Sequence, residues 1–110
     1  MRCAILLCLA LADCSPGARF DETAWKNADL TGRARADMLD DFLARYPPKG
    51  RTKSAVDKLL GEPTPTDKWG GAEMIYVLGN DGTYMPIGNE WLLIDLERQQ
   101  RVQSFKRVRD

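Results

Sequence analysis

Gly50-Arg51-Thr52-Lys53-Ser54-Ala55-Val56-Asp57-Lys58-Leu59-Leu60-Gly61-Glu62-Pro63 reads as one short helix with its start and its stop both written in. Thr52 is a good N-cap, because its hydroxyl can accept a free N–H of the first turn. Ala55, Val56, Leu59 and Leu60 fall on one face at helical spacing. Gly61 can take the left-handed conformation that ends a helix without steric penalty, and Pro63 prevents continuation. The stretch therefore turns the chain out of a helix in a fixed direction.

The pattern on either side of this stretch differs. Upstream, Met38, Leu39, Phe42, Leu43 and Tyr46 form one apolar stripe and predict a helix over Arg33–Tyr46. Pro47-Pro48 stops it and Lys49-Gly50 completes the turn. Downstream, Pro63–Gly71 is broken by prolines and glycines and must be loop. Met74–Leu78, Trp91–Leu96 and Val102–Val108 then read as strands. Trp91-Leu92-Leu93-Ile94 is a near-continuous apolar run, as a central strand needs. Glu97–Gln100 is a short polar turn that makes the last two strands a hairpin, and Gly79–Glu90 is a longer connection. Helices grouped before strands imply an α+β fold of two layers, with two N-terminal helices packed on one face of a three-stranded antiparallel β-meander.

All three cysteines, Cys3, Cys8 and Cys14, lie in the first fourteen residues. Met1-Arg2, an apolar run over Cys3–Ala12 and small residues before Cys14 have the anatomy of a secretory signal. The run is shorter than the roughly 18 apolar residues that span a bilayer. Cleavage at its edge leaves one cysteine at the first mature position, with no intramolecular disulfide partner, where its thiol suits attachment of lipid. The chain thus divides into a signal at 1–13, a tether at 14–32 and a domain at 33–110. Within the tether, Asp21–Asn27 is compatible with a turn of helix. Phe20 and Trp25, two aromatics in a polar segment, pin it to the domain.

The remaining composition narrows the chemistry. Sixteen basic and sixteen acidic residues balance, which gives no support to a nucleic-acid partner. The chain has no His, so the commonest general base and metal ligand are missing. Without a cysteine after Cys14, thiolate metal sites and thiol nucleophiles are missing too. No enzyme and no cofactor is expected. Asp37 and Asp41 share a helix face at i, i+4, a spacing able to hold a cation or do acid–base work, although charged residues so placed are ordinarily a solvated face. Gly79-Asn80-Asp81-Gly82 lacks the ligand spacing of a calcium loop and reads as turn chemistry.

Two surfaces remain as candidates. Tyr84, Met85 and Ile87 sit in a Gly-rich connection that should project from the sheet and form a partner-contact patch. Trp69, in the Pro/Gly loop before the first strand, either joins them or covers the sheet edge. The basic end, with Arg101, Lys106, Arg107 and Arg109, either meets anionic lipid headgroups or guards an edge strand against aggregation. Trp91, Tyr76 and Phe105 are most simply core or sheet-face packing.

Two resemblances add to this reading. Leu11-Ala12-Asp13-Cys14 resembles the lipobox of bacterial lipoproteins, with Asp13 where that pattern has Gly, Ala or Ser. The resemblance implies lipidation at Cys14, and Ser15 after it agrees with sorting to the outer membrane. The stretch Gly50–Pro63, followed by Tyr76-Val77-Leu78-Gly79 and Glu90-Trp91-Leu92-Leu93-Ile94-Asp95-Leu96, resembles the BamE-like (SmpA/OmlA) lipoproteins of Gram-negative bacteria. Ala55 stands where that family often has Glu. The resemblance covers about residues 50–108 and implies a lipid-anchored scaffold or protein-interaction module on the periplasmic face of the outer membrane. Its partner would be an envelope protein of the outer-membrane assembly machinery. The domain is also similar to the repeat of β-lactamase inhibitor proteins. That similarity implies instead a soluble secreted module gripping an enzyme with a sheet face.

Overall fold

The computed structural model describes residues 18–83 and 88–110 of the 110. Among the described residues three helices precede three strands: α1 over Glu22–Lys26, α2 over Ala34–Arg45, α3 over Lys53–Leu60, β1 over Met74–Asn80, β2 over Asn89–Leu96 and β3 over Val102–Arg109. The strands form one antiparallel sheet in the order β1-β2-β3. The α+β meander expected from the sequence is the fold, with one more helix ahead of it.

Helix α3 starts and stops on groups its own sequence supplies. The Thr52 hydroxyl accepts the Ala55 N–H at 3.1 Å and caps α3. Gly61 leaves α3 at φ +81°, a conformation costly for a residue with a Cβ. Two side chains from elsewhere finish that end. Lys26 Nζ donates to the Lys58 carbonyl at 2.9 Å and the Tyr76 hydroxyl donates to the Gly61 carbonyl at 2.9 Å. A cation on the free carbonyls of a last turn also meets the negative end of the helix dipole. Burial, and then the neighbouring Asp57 carboxylate, push the Tyr76 hydroxyl well above its ordinary pKa, so it stays a donor.

Period-two alternation sends β-strand side chains to opposite faces. Met74 pairs with Ile94 and Tyr76 with Leu92. These four are fully buried together with Trp25, Leu39, Phe42 and Val56 of the helices, which makes this face the main core. The opposite face carries Ile75, Val77, Trp91 and Leu93, and it is closed by Trp69, Ala72 and Val108. Trp69 lies edge-on to Trp91 with ring centroids 6.4 Å apart. Both faces of β2 are therefore buried, the physical reason for its unbroken apolar run.

Residues 18–32 belong to this body more fully than a tether would. Asp21 caps α1 by accepting the Ala24 N–H at 2.8 Å. Trp25 is 0 % exposed and Phe20 packs on Phe42 at 4.9 Å between centroids. Arg35 of α2 lies 5.0 Å over the Trp25 ring and donates to the carbonyls of Trp25 and Val77 at 2.9 Å and 3.2 Å. One guanidinium thus joins α1, α2 and β1. Ahead of α1, the Ala18 N–H reaches the Asp37 carbonyl at 2.9 Å. These ties are made across the fold rather than along the chain.

β1 also runs further than expected, through Gly79 and Asn80, by way of a register shift between Val77 and Gly79. Gly79 has φ +128°, and a Cβ there would stand 2.1 Å from the Gly32 carbonyl oxygen. Only glycine lets β1 approach the chain at Gly32 so closely.

Candidate functional site

The two edges of the sheet differ. Along β1, the loop before the strand covers the edge: Thr64 N–H donates to the Ile75 carbonyl at 2.7 Å, and the Thr64 hydroxyl accepts the Val77 N–H at 3.0 Å. Arg35 and the Gly32 carbonyl satisfy Val77 and Asn80. Along β3, only the first residue is covered. Gly50 N–H donates to the Val102 carbonyl at 2.9 Å and Val102 N–H to the Arg51 carbonyl at 2.8 Å.

Past Val102 the outer edge of β3 is open. The β2–β3 register runs unbroken from Glu90↔Arg109 to Asp95↔Ser104, and Asp110 N–H continues it to the Asn89 carbonyl at 3.1 Å. Backbone groups alternate in direction along an antiparallel strand. Those of Ser104, Lys106 and Val108 therefore bond β2, and those of Phe105, Arg107 and Arg109 point outward. Among the described residues none of these outward groups has a backbone partner.

The side chains along this edge fall into three environments. Arg107 is held inward: its guanidinium meets Glu90 at 2.8 Å, Asp40 at 3.4 Å and the Ala36 carbonyl at 3.2 Å. Arg109 is 60 % exposed and only 3.8 Å from the already engaged Glu90. Lys106 lies on the opposite face beside Leu93 and has no carboxylate partner among the described residues. Arg101, at the hairpin, spends one guanidinium N–H on the Gly50 carbonyl at 2.9 Å. The four basic residues of the predicted lipid contact thus share a strand and its approach, not a face. Phe105 is 36 % exposed rather than core, because it sits on the edge strand outside the main apolar cluster.

Behind the edge is a charge cluster that sequence reasoning missed. Glu90 is 4 % exposed and receives Arg33 at 2.9 Å and Arg107 at 2.8 Å. Burial alone would raise its pKa. Hydrogen bonds from Arg107 and Arg33, with their charges, outweigh burial and hold the carboxyl below its ordinary value. Two other carboxylates are engaged in structure too. Asp41 accepts the Phe20 N–H at 2.7 Å and pairs with Arg45 at 2.9 Å, and the Phe20 hydrogen bond is the main cause of its lowered pKa. Asp37, its expected partner, is 54 % exposed and 3.9 Å from Arg33, so the two carboxylates do different jobs. Asp81 accepts the Thr83 N–H and hydroxyl and the Gly88 N–H, which is turn chemistry.

On the opposite face an open cavity of about 350 Å³ lies between the loop at Trp69 and the sheet, walled by Lys68, Trp69, Leu93, Asp95 and Lys106. Lys68 is paired to Asp110 at 3.2 Å. The Trp69 Nε1 is buried without a partner. Trp69 packs on the face of the sheet here rather than along its edge. Tyr84, Met85 and Ile87, the rest of the predicted contact patch, lie outside the described residues, as does Cys14. No helix among the described residues is long and apolar enough to cross a membrane.

Comparison with protein-family models, with curated proteins and with solved structures found no match. An open, basic strand edge with unspent backbone hydrogen bonds stands in front of a buried Glu90 held by two partly exposed arginines. Such an arrangement can bind an extended chain.

Proposed function

We propose that this chain is a small non-catalytic scaffold of the bacterial envelope, lipid-anchored through Cys14 and facing the periplasm, that meets a protein partner. Its resemblance to BamE-like lipoproteins would put it near outer-membrane protein assembly. The observation that carries the interaction role is the β3 edge, where outward backbone groups and cations remain unspent. The carboxylates that an active site would draw on are instead engaged in caps and ion pairs. The signal-like segment and Cys14 support the anchor.

The soluble inhibitor-like reading asks for an open, aromatic sheet face. Here Trp69 lies across Trp91 and the aliphatic residues of that face are covered, which favours the scaffold. The test of the anchored reading is fractionation of cells making the chain or its Cys14→Ser variant. The parent chain should sediment with outer membranes and the variant should be released to the soluble periplasm. Equal distribution of the two would contradict the anchor.

A further inference from the structure

We propose that the open edge of β3 receives an extended acidic segment of a partner protein by strand addition, with an apolar side chain of that segment seated beside Phe105. This deepens the interaction reading given above and rests on it, but not on the lipid anchor.

Three observations carry the assignment. Strand addition draws affinity from main-chain hydrogen bonds and specificity from alternate side chains, and the outward groups of Phe105, Arg107 and Arg109 supply the first without any change in the fold. Charge supplies the second. Lys106 and Arg109 flank the edge on its two faces, Arg101 stands at its entry, and Arg107 is already neutralised by Glu90. An incoming strand with carboxylates opposite Lys106 and Arg109 meets opposite charge on both faces. Phe105 supplies the third. Lysine on an edge is a usual guard against aggregation, but a guard has no use for an aromatic side chain 36 % exposed between its charges. An apolar neighbour would cover it.

The same observations weigh against other occupants. A second copy pairing β3 with β3 would bring together two strands that carry Lys106, Arg107 and Arg109 and no acidic residue. A membrane offers negative charge but no backbone ladder, and the basic side chains here do not face one way.

The test uses the purified full chain and two synthetic peptides of about eight residues, the length of β3. One carries Glu at two positions three apart, so that its carboxylates fall on both faces as Lys106 and Arg109 do, with Val and Thr elsewhere, and the other carries Lys at the same two positions. Affinity and amide hydrogen exchange are measured for each. The acidic peptide should bind at least about tenfold more tightly, a modest figure for reversing charge across an interface. It should slow exchange at the amides of Phe105, Arg107 and Arg109, and added salt should weaken it. The double reversal Lys106→Glu with Arg109→Glu should remove the preference for the acidic peptide. Phe105→Pro should weaken both peptides, because it removes an outward N–H and leaves the β2 ladder intact.

Several results would overturn the proposal: equal binding of the two peptides, or protection on the Trp69 loop instead of β3. So would β3 protection that grows with protein concentration alone, which means a second copy, or binding to anionic vesicles with none to the acidic peptide. Peptide binding by a chain that fails to reach the envelope would sink the anchored reading and leave strand addition standing. An anchored chain that ignores the peptide would do the reverse.

Discussion

Glu90 occupies an inward position of β2, with Arg33 on one side and Arg107 on the other. A carboxylate 4 % exposed is tolerable only because both arginines remain charged against it. Glu90→Gln keeps the shape and removes the charge, leaving the arginines facing a neutral amide. The loss at neutral pH should be about 2–3 kcal/mol, less than for a fully buried pair because both arginines are partly exposed. The pH dependence has a definite sign. A carboxyl whose folded pKa is depressed contributes stability above its unfolded pKa of about 4.3 and loses it as pH falls through the lower folded value. Denaturant unfolding of parent and variant should therefore differ at pH 7 and converge as the pH falls below about 4. A gap that persisted at pH 3 would assign the effect to packing. The sequence held one clue to this cluster: Glu90 shares parity with Leu92, Ile94 and Leu96, so it had to face the core and find a partner. Which arginines would come to it was not legible, since Arg33 and Arg107 lie 57 and 17 residues away.

Helices α1 and α3 show how unevenly an element can be read from its own residues. α3 is nearly self-describing, with its cap, its stripe and its stop within Thr52–Pro63. Thr52→Ala should cost about 1 kcal/mol, the usual value of an N-cap hydroxyl, measured as a drop in unfolding free energy with the denaturant slope unchanged. α1 has five residues, too few to be stable as an isolated helix. It exists because Trp25 enters the core and Lys26 reaches the end of α3. Trp25→Ala should cost about 3–5 kcal/mol, most of the stability of many small domains. Urea unfolding should show it, and a loss near that of an exposed residue would mean α1 is only a tether. Two aromatics in a polar stretch announced that this segment docks. Its place under Arg35 and against Phe42 is a property of three elements together. The same holds for Trp69. The sequence allowed it to be a contact residue or a cover of the sheet edge, and it packs instead on Trp91 of the sheet face.

The whole molecule has equal numbers of acidic and basic residues, yet it distributes them unequally. The two buried acidic residues, Asp81 and Glu90, are spent on a turn and on arginines, whereas β3 carries Lys106, Arg107 and Arg109 and no acidic residue. Net charge alone hid this asymmetry, because it averages over faces that the sheet separates. The layer architecture was legible, since it follows from periodicity and turn residues. The accessible edge was not, because it depends on which strand the loop at Thr64 happens to cover. The proposed scaffold would act where it is tethered, so the central claim concerns what lies ahead of Ala18. The most direct measurement is the intact mass of the chain recovered from fractionated membranes, with its N-terminal residue identified. The account predicts a mature chain that begins at an acylated Cys14 and sits in the outer-membrane fraction. A chain that retains Met1 and stays in the cytoplasm would contradict it.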